Sequence, residues 1–496
     1  MEGFRWRRLN STRLGNVEGY HVENFGCRAS QADGDALAAE LGRAGGSAVP
    51  AANAAVVVLN TCAVTAEAES KARAWLRRVK RENPKAQVVV TGCYAQRAPG
   101  EVARLAGVDA VVGNSHKGLL GQVVARMQQQ AGSGPAQPGM TSGFAERNFV
   151  SLGDVASAGG IPVLVDDRFA HANLAAEDLA ASEDTRPNLK VQDGCGNRCS
   201  FCIIPTTRGG SRSVPRETIL ERARRFVEGG GKELVLSGIN LGRWGADFEQ
   251  RARLEELVAA ILELTALPRL RVSSVEPMDW SAGLLALYRQ YGREDAAVMG
   301  PRLARHAHLP LQSGADAILR AMHRRYRPWH YAEKLAAIRE AMPAAAIGAD
   351  VMVGFPGETD ALFEESYRFI EAQPFTYLHL FPFSARPGTA AWTLAQERPV
   401  RGEAVRERME RLRALIGEKH AEFRRRMDEK TLSVVTLKST EEHRRRGVTP
   451  ALSDNFLSME IVGEFPANRM LWAAVSHPSK VRVTTRLDGV SSRGRT

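Results

Sequence analysis

Acidic residues are in short supply in this chain. Against 67 lysines and arginines stand 56 aspartates and glutamates, giving a formal net charge of +11 and a pI near 9.6. That balance suits a polyanionic partner, most simply a nucleic acid, and is equally compatible with a merely soluble basic protein. Long apolar runs are missing too, so no segment reads as a transmembrane helix and no membrane association is expected. The opening "MEGFRWRRLNSTRLG" is basic but lacks the apolar core of a secretion signal, so the expected compartment is the cytoplasm. Cysteines are few: Cys27, Cys62, Cys93, Cys195, Cys199 and Cys202. The cytosol keeps thiols reduced, which excludes a disulfide framework and favours two sets of three metal ligands.

What is present is ordinary for a folded protein: 44% hydrophobic and 25% charged residues over 496 positions, enough for about three domains. From Glu18 to Lys117 apolar runs alternate with helical patterns. "YHVENFG", "AAVVVLNTC" and "AQVVVTGC" read as buried strands, and "AEAESKARAWLRRVKREN" reads as a helix with acids early and bases late. The alternation predicts a parallel α/β sheet. Cys27, Cys62 and Cys93 each fall just past the carboxyl end of a strand, where open parallel sheets bind ligands. Each is one βα unit from the next, so the chain returns a thiol to the same edge every time. Three unrelated buried cysteines would not share that placement.

Between 118 and 187 the pattern weakens. "QQQAGSGPAQPGMTSG" reads as a linker, and "IPVLVDD" as a lone strand. From Asn188 the alternation resumes, with strands expected at "KELVLSG", "RLRVSSVEP", "RHAHLPLQ", "AAIGADVMVGFP" and "FTYLHLFPF". Their regular βα order predicts a full or partial parallel barrel, whose active site lies at the carboxyl ends of its strands. Val400 to Met427 forms one basic helix. After it, "TLSVVTLKS", "NFLSMEIVGEF", "RMLWAAVS" and "KVRVTTRLDG" are short strands of a small basic β-barrel, with a basic run at Arg444 to Arg446.

Cys195, Cys199 and Cys202 crowd into "VQDGCGNRCSFCIIPTTRGGSRS". Structural zinc needs four protein ligands in a closed tetrahedron, and the nearby chain supplies three; His306 and His308 are remote. Three thiolates on a four-iron cube leave one iron open, the position at which a substrate or cofactor binds.

That spacing, with Phe201 before the last cysteine, resembles the signature of radical S-adenosylmethionine (SAM) enzymes. "NTCAVT", "TGCYAQ", "LPLQSGADAILRAMHRRY", "VGFPGET" and "FSARPGT" extend the likeness to the methylthiotransferase family, from about Tyr20 to Leu487. The resemblance implies an N-terminal domain over 18–119 with an auxiliary cluster on Cys27, Cys62 and Cys93. It further implies a linker over 120–187, a radical SAM barrel over 188–420 with its cluster on Cys195, Cys199 and Cys202, and an RNA-binding TRAM barrel over 428–488. Two [4Fe-4S] clusters and SAM are the implied cofactors. Homolysis of SAM gives a carbon radical, and a second SAM supplies a methyl group to sulfur on the auxiliary cluster. No catalytic side chain beyond the cluster ligands is implied.

Of the family's branches, "NTCAVT", "TGCYAQ" and "CIIP" most resemble the one that modifies C2 of N6-threonylcarbamoyladenosine in the tRNA anticodon stem-loop. A flavodoxin or ferredoxin type electron donor goes with that chemistry. An N6-isopentenyladenosine enzyme and a non-catalytic RNA-binding protein with structural metal sites are the alternatives. For SAM itself, Ser237, Gly238, Glu276 and Gln312 stand at strand ends, and "GADVMVGFPGE" would flank the adenine. Arg208 and Arg212 are candidates for the SAM carboxylate or for tRNA phosphate, with plain solvation as the alternative. His379, on an apolar strand, is expected as a packed core residue.

Overall fold

The computed structural model describes residues 19–131, 161–169, 185–293, 300–475 and 482–483. The opening basic segment, most of the Gly- and Pro-rich stretch after 128, and the end of the last expected strand lie outside them. The chain divides into two compact units, Met1–Ala176 and Glu177–Thr496. Among the described residues no helix is long and apolar enough to cross a membrane.

The first unit is a parallel sheet in the order β1 (Tyr20–Asn24), β2 (Val56–Thr61), β3 (Gln87–Gly92), β4 (Ala110–Gly113) and β5 (Val163–Leu164). The alternation of strand side chains explains why it is buried on both faces. Val57 and Leu59 of β2 pack into a core with Leu76 and Val79 of the helix Ala66–Glu82. Val56 and Val58 point the other way, into a core with Leu37 and Leu41 of the helix Arg28–Arg43. The helix Ala66–Glu82 starts where Thr65 accepts a hydrogen bond from the Ala68 amide, with Glu67 and Glu69 in its first turn and Lys80 and Arg81 in its last. The expected lone strand within "IPVLVDD" is not alone: Val163 and Leu164 pair with Val111 and Val112 at the sheet edge. The helix Leu120–Ala131 also belongs here, its Leu120, Val123 and Val124 filling the second core. Short apolar segments gain a partner only through the tertiary fold, which is why the strand within "IPVLVDD" reads as lone and the helix does not stand out in sequence.

The second unit strings six parallel strands in chain order: β6 (Asn188–Asp193), β8 (Glu233–Gly238), β9 (Arg269–Val272), β10 (His306–Gln312), β11 (Ala346–Val353) and β12 (Tyr377–Pro382). Single bridges Leu270–Leu303 and Ser274–His308 join the β9 and β10 segments. Helices Arg216–Glu228, Leu254–Leu264, Ala282–Tyr291, Pro328–Ala341 and Asp360–Ala372 alternate with the strands. This is the strand order of a partial (β/α) barrel. β7 (Arg212–Ser213) adds an antiparallel edge to β6.

The helix Gly402–Arg426 leads into an antiparallel sheet in the order β15 (Ser458–Val462), β14 (Val448–Ser453), β13 (Thr431–Thr436), β16 (Met470–Ala474) and β17 (Arg482–Val483). Strand β14 was not expected, because Pro450 interrupts its apolar run. The ladder tolerates it: Pro450 lies opposite Glu460, and its carbonyl accepts from the Leu437 amide. A buried ionic set ties this sheet to the parallel strands. Arg271 Nε donates to Glu233 at 2.7 Å, and its Nη2 donates to the Ser453 carbonyl at 3.0 Å. Arg269 reaches Glu233 and Ser433, and Arg305 pairs with Asp454. Burial would push the Glu233 carboxyl up, but Arg271 and Arg269 outweigh it and hold it at about 2.

Candidate active site

The close-set cysteines leave the carboxyl end of β6 through Gly194, whose φ of +71° only glycine adopts freely; a Cβ there would meet the Gly210 carbonyl at 2.0 Å. The loop is pinned at several points. The Cys195 amide donates to the Gly209 carbonyl, and the Ser200 amide and hydroxyl donate to the Met322 and Ala321 carbonyls. Phe201 packs edge-on against Phe355, in the cluster around Ile318 and Met322. All three thiols are free and partly exposed.

Their surroundings fit a cluster better than a single ion. Among the described residues no His, Cys, Asp or Glu joins these sulfurs in a set whose ligand atoms all lie within 4.8 Å of one another. Burial pushes the Cys202 thiol up to about 12, and neighbouring thiolates at Cys199 and Cys195 add to it. Burial raises Cys195 as well. The three sulfurs themselves do not all lie within 4.8 Å of one another, wider than the ligand set of a single ion, and their thiolates need a cationic centre. N–H donors already face them: Asn240 Nδ2 lies 3.5 Å from Cys195 Sγ, and Arg324 Nη1 lies 3.3 Å from Cys199 Sγ.

Arg324 also pairs with Glu276, beside Tyr326, whose hydroxyl accepts from Arg324 Nε at 3.1 Å. Burial pushes the Glu276 carboxyl up, while Arg324 pulls it down. Cys199, Glu276, His323, Arg324 and Tyr326 line one cleft. Ser237 and Gly238 end β8 next to β6; the Ser237 hydroxyl is buried with no hydrogen-bond partner among the described residues. Gln192 secures this corner, accepting from the Asn240 amide at 2.7 Å and donating to the Gly194 carbonyl at 2.7 Å. Gln312 ends β10 at a register shift, with a φ of +65° and a buried, unpartnered Oε1. A non-glycine residue in that region costs about 1–3 kcal/mol, a cost typical of functional positions. Cys199 and Glu276 thus share a cleft, Ser237 and Gly238 end β8 beside the strand that leads into the cysteine loop, and Gln312 ends β10 in the separate three-stranded sheet; Ser237 and Gln312 bear unsatisfied polar atoms that a ligand would pair.

The first unit gathers its thiols differently. Cys27 caps the helix Arg28–Arg43 just beyond β1, Cys62 follows β2, and Cys93 begins the short helix after β3. Their strands are neighbours in the sheet. Gly26, at φ +125°, lies so close to Cys62 that a Cβ would sit 2.8 Å from the Cys62 Cβ. Gly92, at φ +96°, packs against the Thr61 backbone. Again donors face sulfur: Asn114 Nδ2 is 3.3 Å from Cys93 Sγ, and the Val64 amide is 3.4 Å from Cys62 Sγ. Behind them Asn60 donates to Asn24 and accepts from Lys117, which also pairs with buried Asp33 at 2.8 Å.

Residues 19–113 match the Uncharacterized protein family UPF0004, and residues 189–370 match the Radical SAM superfamily. The chain is 31% identical over 411 residues to the threonylcarbamoyladenosine tRNA methylthiotransferase MtaB of Bacillus subtilis, covering 82% of each chain. The chain belongs to the radical SAM methylthiotransferase family. Its likeness to the Aquifex aeolicus MtaB is 34% over 443 residues, 89% of this chain and 96% of that one. The tRNA-2-methylthio-N(6)-dimethylallyladenosine synthase of Sphingopyxis alaskensis is 32% identical over 411 residues, covering 82% of this chain and 83% of that one. Among solved structures, the radical SAM methyltransferase TsrM of Kitasatospora setae matches with a TM-score of 0.51 at 14% identity, over 77% of this chain and 78% of that one, a likeness of fold. As a member of this family the enzyme works with SAM and [4Fe-4S] clusters.

Two expectations for this methylthiotransferase need correction. Arg208 is neither solvated nor available to a ligand: it is 1% exposed, and its Nη1 straddles both Asp193 oxygens at 3.0 and 3.1 Å. Arg324, in the motif "LPLQSGADAILRAMHRRY", is the arginine that reaches the cysteines. No periodicity marks it, because a turn after the helix Asp316–Ala321 carries it there. Arg212 is a part-exposed strand residue bonded to the Gly210 carbonyl. His379 is no core residue: its side chain is 59% exposed. Its Nδ1 lies 3.2 Å from Asp350 Oδ1, and His308 Nε2 approaches the same oxygen at 3.4 Å. Three adjacent strands, β10, β11 and β12, bring these three together. Strand alternation alone reads β12 as apolar and misses them.

Proposed function

We propose that this enzyme adds a methylthio group to C2 of N6-threonylcarbamoyladenosine next to the anticodon of tRNA. The observation that carries the reading is the pair of three-thiol sets, each with N–H donors on its sulfurs and no fourth ligand gathered in among the described residues. MtaB relatives in Bacillus subtilis and Aquifex aeolicus support this substrate. Cys195, Cys199 and Cys202 hold the radical-generating cluster, and Cys27, Cys62 and Cys93 hold the auxiliary one. When bound, these clusters and SAM supply a carbon radical able to take an unactivated ring hydrogen, and a methylated sulfur to replace it.

The chain's own residues position that chemistry. Arg324 keeps its charge through Glu276 and Cys199 and faces the cleft, where it pairs with a carboxylate such as that of the methionyl group. Ser237, Gly238, Glu276 and Gln312 take the remaining polar groups of SAM. Residues 428–488 act as a TRAM domain that grips RNA; β15 and β17 come into contact, as closure of a small barrel requires. The anticodon stem-loop is the partner, a flavodoxin or ferredoxin type protein is the electron donor, and the cytoplasm is where all three meet.

Mass spectrometry of tRNA nucleosides from a strain lacking the gene tests this. Loss of 2-methylthio-N6-threonylcarbamoyladenosine is the expected result. Loss of the dimethylallyl analogue alone would move the enzyme to the branch of its Sphingopyxis alaskensis relative.

A further inference from the structure

The proposed substrate differs from that of the sister branch in one chemical respect. A threonylcarbamoyl group ends in an amino-acid carboxylate, whereas a dimethylallyl group is wholly apolar. An enzyme that selects the first needs a donor placed for that carboxylate, held by something other than the substrate.

His379 has the required setting. An ionised carboxylate can only accept, so the hydrogen bond to Asp350 puts a proton on His379 Nδ1. Burial would push the Asp350 carboxyl up, but His308 and His379 outweigh it and hold it well below the usual range, so it is ionised. His308 lies beside them: its Nδ1 is 2.6 Å from the Ser274 hydroxyl and its Nε2 approaches Asp350 at 3.4 Å. Its ring stacks on Tyr377, and His379 packs at 5.1 Å from it. Asp350 is therefore an anchor that orients the His379 ring through Nδ1, while the side chain remains 59% exposed. The location is right as well. Asp350 pairs with His379 across β11 and β12, one residue from the Val351 that faces Gln312. Asp350 also lies within electrostatic reach of Glu276, the partner of the arginine on Cys199.

We propose that the His379 imidazole, anchored by Asp350, receives the carboxylate of the threonylcarbamoyl substituent and selects it over an apolar one. This rests on the threonylcarbamoyl reading above. Set between two carboxylates, the ring turns its Nδ1 to Asp350 and its Nε2 to the substrate, a charge-assisted bond at each end. Asp350 and His308 are positioning residues in this scheme, since neither needs to touch the substituent.

The test uses the full chain with both clusters filled and three anticodon stem-loop RNAs. One carries threonylcarbamoyladenosine, one its carboxylate methyl ester, and one isopentenyladenosine. Wild type is expected to favour the free carboxylate over the ester by at least about 10-fold in kcat/KM. His379→Leu is expected to bring the two to within a few-fold, through KM, while unchanged iron content and SAM cleavage show that it folds. His379→Gln, which keeps a donor, is expected to recover part of the preference.

A preference untouched in His379→Leu, with wild type active on the carboxylate RNA, overturns the inference and leaves the substrate reading standing. Activity of wild type on the isopentenyl RNA alone overturns both. The donor types of these three residues also suit a divalent ion. If the preference of wild type vanished on treatment with a chelating resin and returned with added zinc or manganese, direct reading by the imidazole would be overturned.

Discussion

Two sets of three cysteines are gathered by opposite routes. Cys195, Cys199 and Cys202 are neighbours in sequence, and one loop between β6 and a short helix presents them. Cys27, Cys62 and Cys93 are far apart in sequence, and the ends of three adjacent parallel strands bring them to one edge. The loop set has an arginine on its sulfur and a part-buried carboxyl behind it; the strand-end set has amides, Asn114 Nδ2 and the Val64 N–H. A formal charge beside the first set equips it to hold an ionic cofactor. Neutral donors beside the second stabilise thiolates without that extra cation. The comparison teaches that a ligand count fixes what metal centre is possible, while the neighbouring donors fix what that centre does.

The sharpest break in this comparison is expected from removing one ligand on each side. Cys199→Ala should abolish 5′-deoxyadenosine formation from SAM and a reductant. Cys62→Ala should leave that cleavage detectable and stop methylthio product altogether. Product from Cys62→Ala would show that the first unit is a structural metal site.

Arg324→Met comes next. It strips the cation from Cys199 and leaves part-buried Glu276 without its partner, a change that costs at most about 3–5 kcal/mol. Deoxyadenosine formation should fall about 100-fold or more, with iron at the first set unchanged. Adding Glu276→Gln should return much of the thermal stability and little of the cleavage. Recovery of both would mean that Arg324 serves packing alone.

Gly26→Ala should act on the other side. A Cβ at φ +125° collides with Cys62, so iron and sulfide should fall to about half the full content, while SAM cleavage persists. Unchanged iron would show that the strand-end set does not need its present geometry.

The smallest effects are expected from single donors to sulfur. Asn114→Ala should lower the reduction potential of the strand-end centre and leave that of the loop centre where it was, and Asn240→Ala should do the reverse, since hydrogen bonds to sulfur set such potentials. Paired potentiometric titrations followed by electron paramagnetic resonance would read both. Shifts of both potentials in either variant would dissolve the distinction between the two sites.

Much of the parallel architecture was legible because its signal is local. Apolar runs of strand length, Thr65 as a cap, and acids before bases in 66–82 each declare themselves within a few residues. The edge strand Val163–Leu164 was read without its partner, and Val448–Ser453 was missed behind Pro450, because sheet edges are defined by what they pair with. The same limit governed the site. His379 sits in a run that reads as apolar, and its exposure follows from lying on the last parallel strand, with Asp350 beside it. Arg208 and Arg324 look alike in sequence, yet one is locked onto Asp193 and the other onto Cys199 and Glu276.

By itself the sequence determined the number of thiols, their division into two trios, the strand-and-helix order and the family. Those depend on residue type and spacing, which the chain carries wherever it goes. Only the tertiary structure decided which arginine meets a cysteine, which histidine meets Asp350, and which polar atoms at Ser237 and Gln312 stay unpaired. Such pairings span tens to hundreds of residues, and their strength depends on burial and on directions within a few ångströms, neither of which is written in a linear pattern.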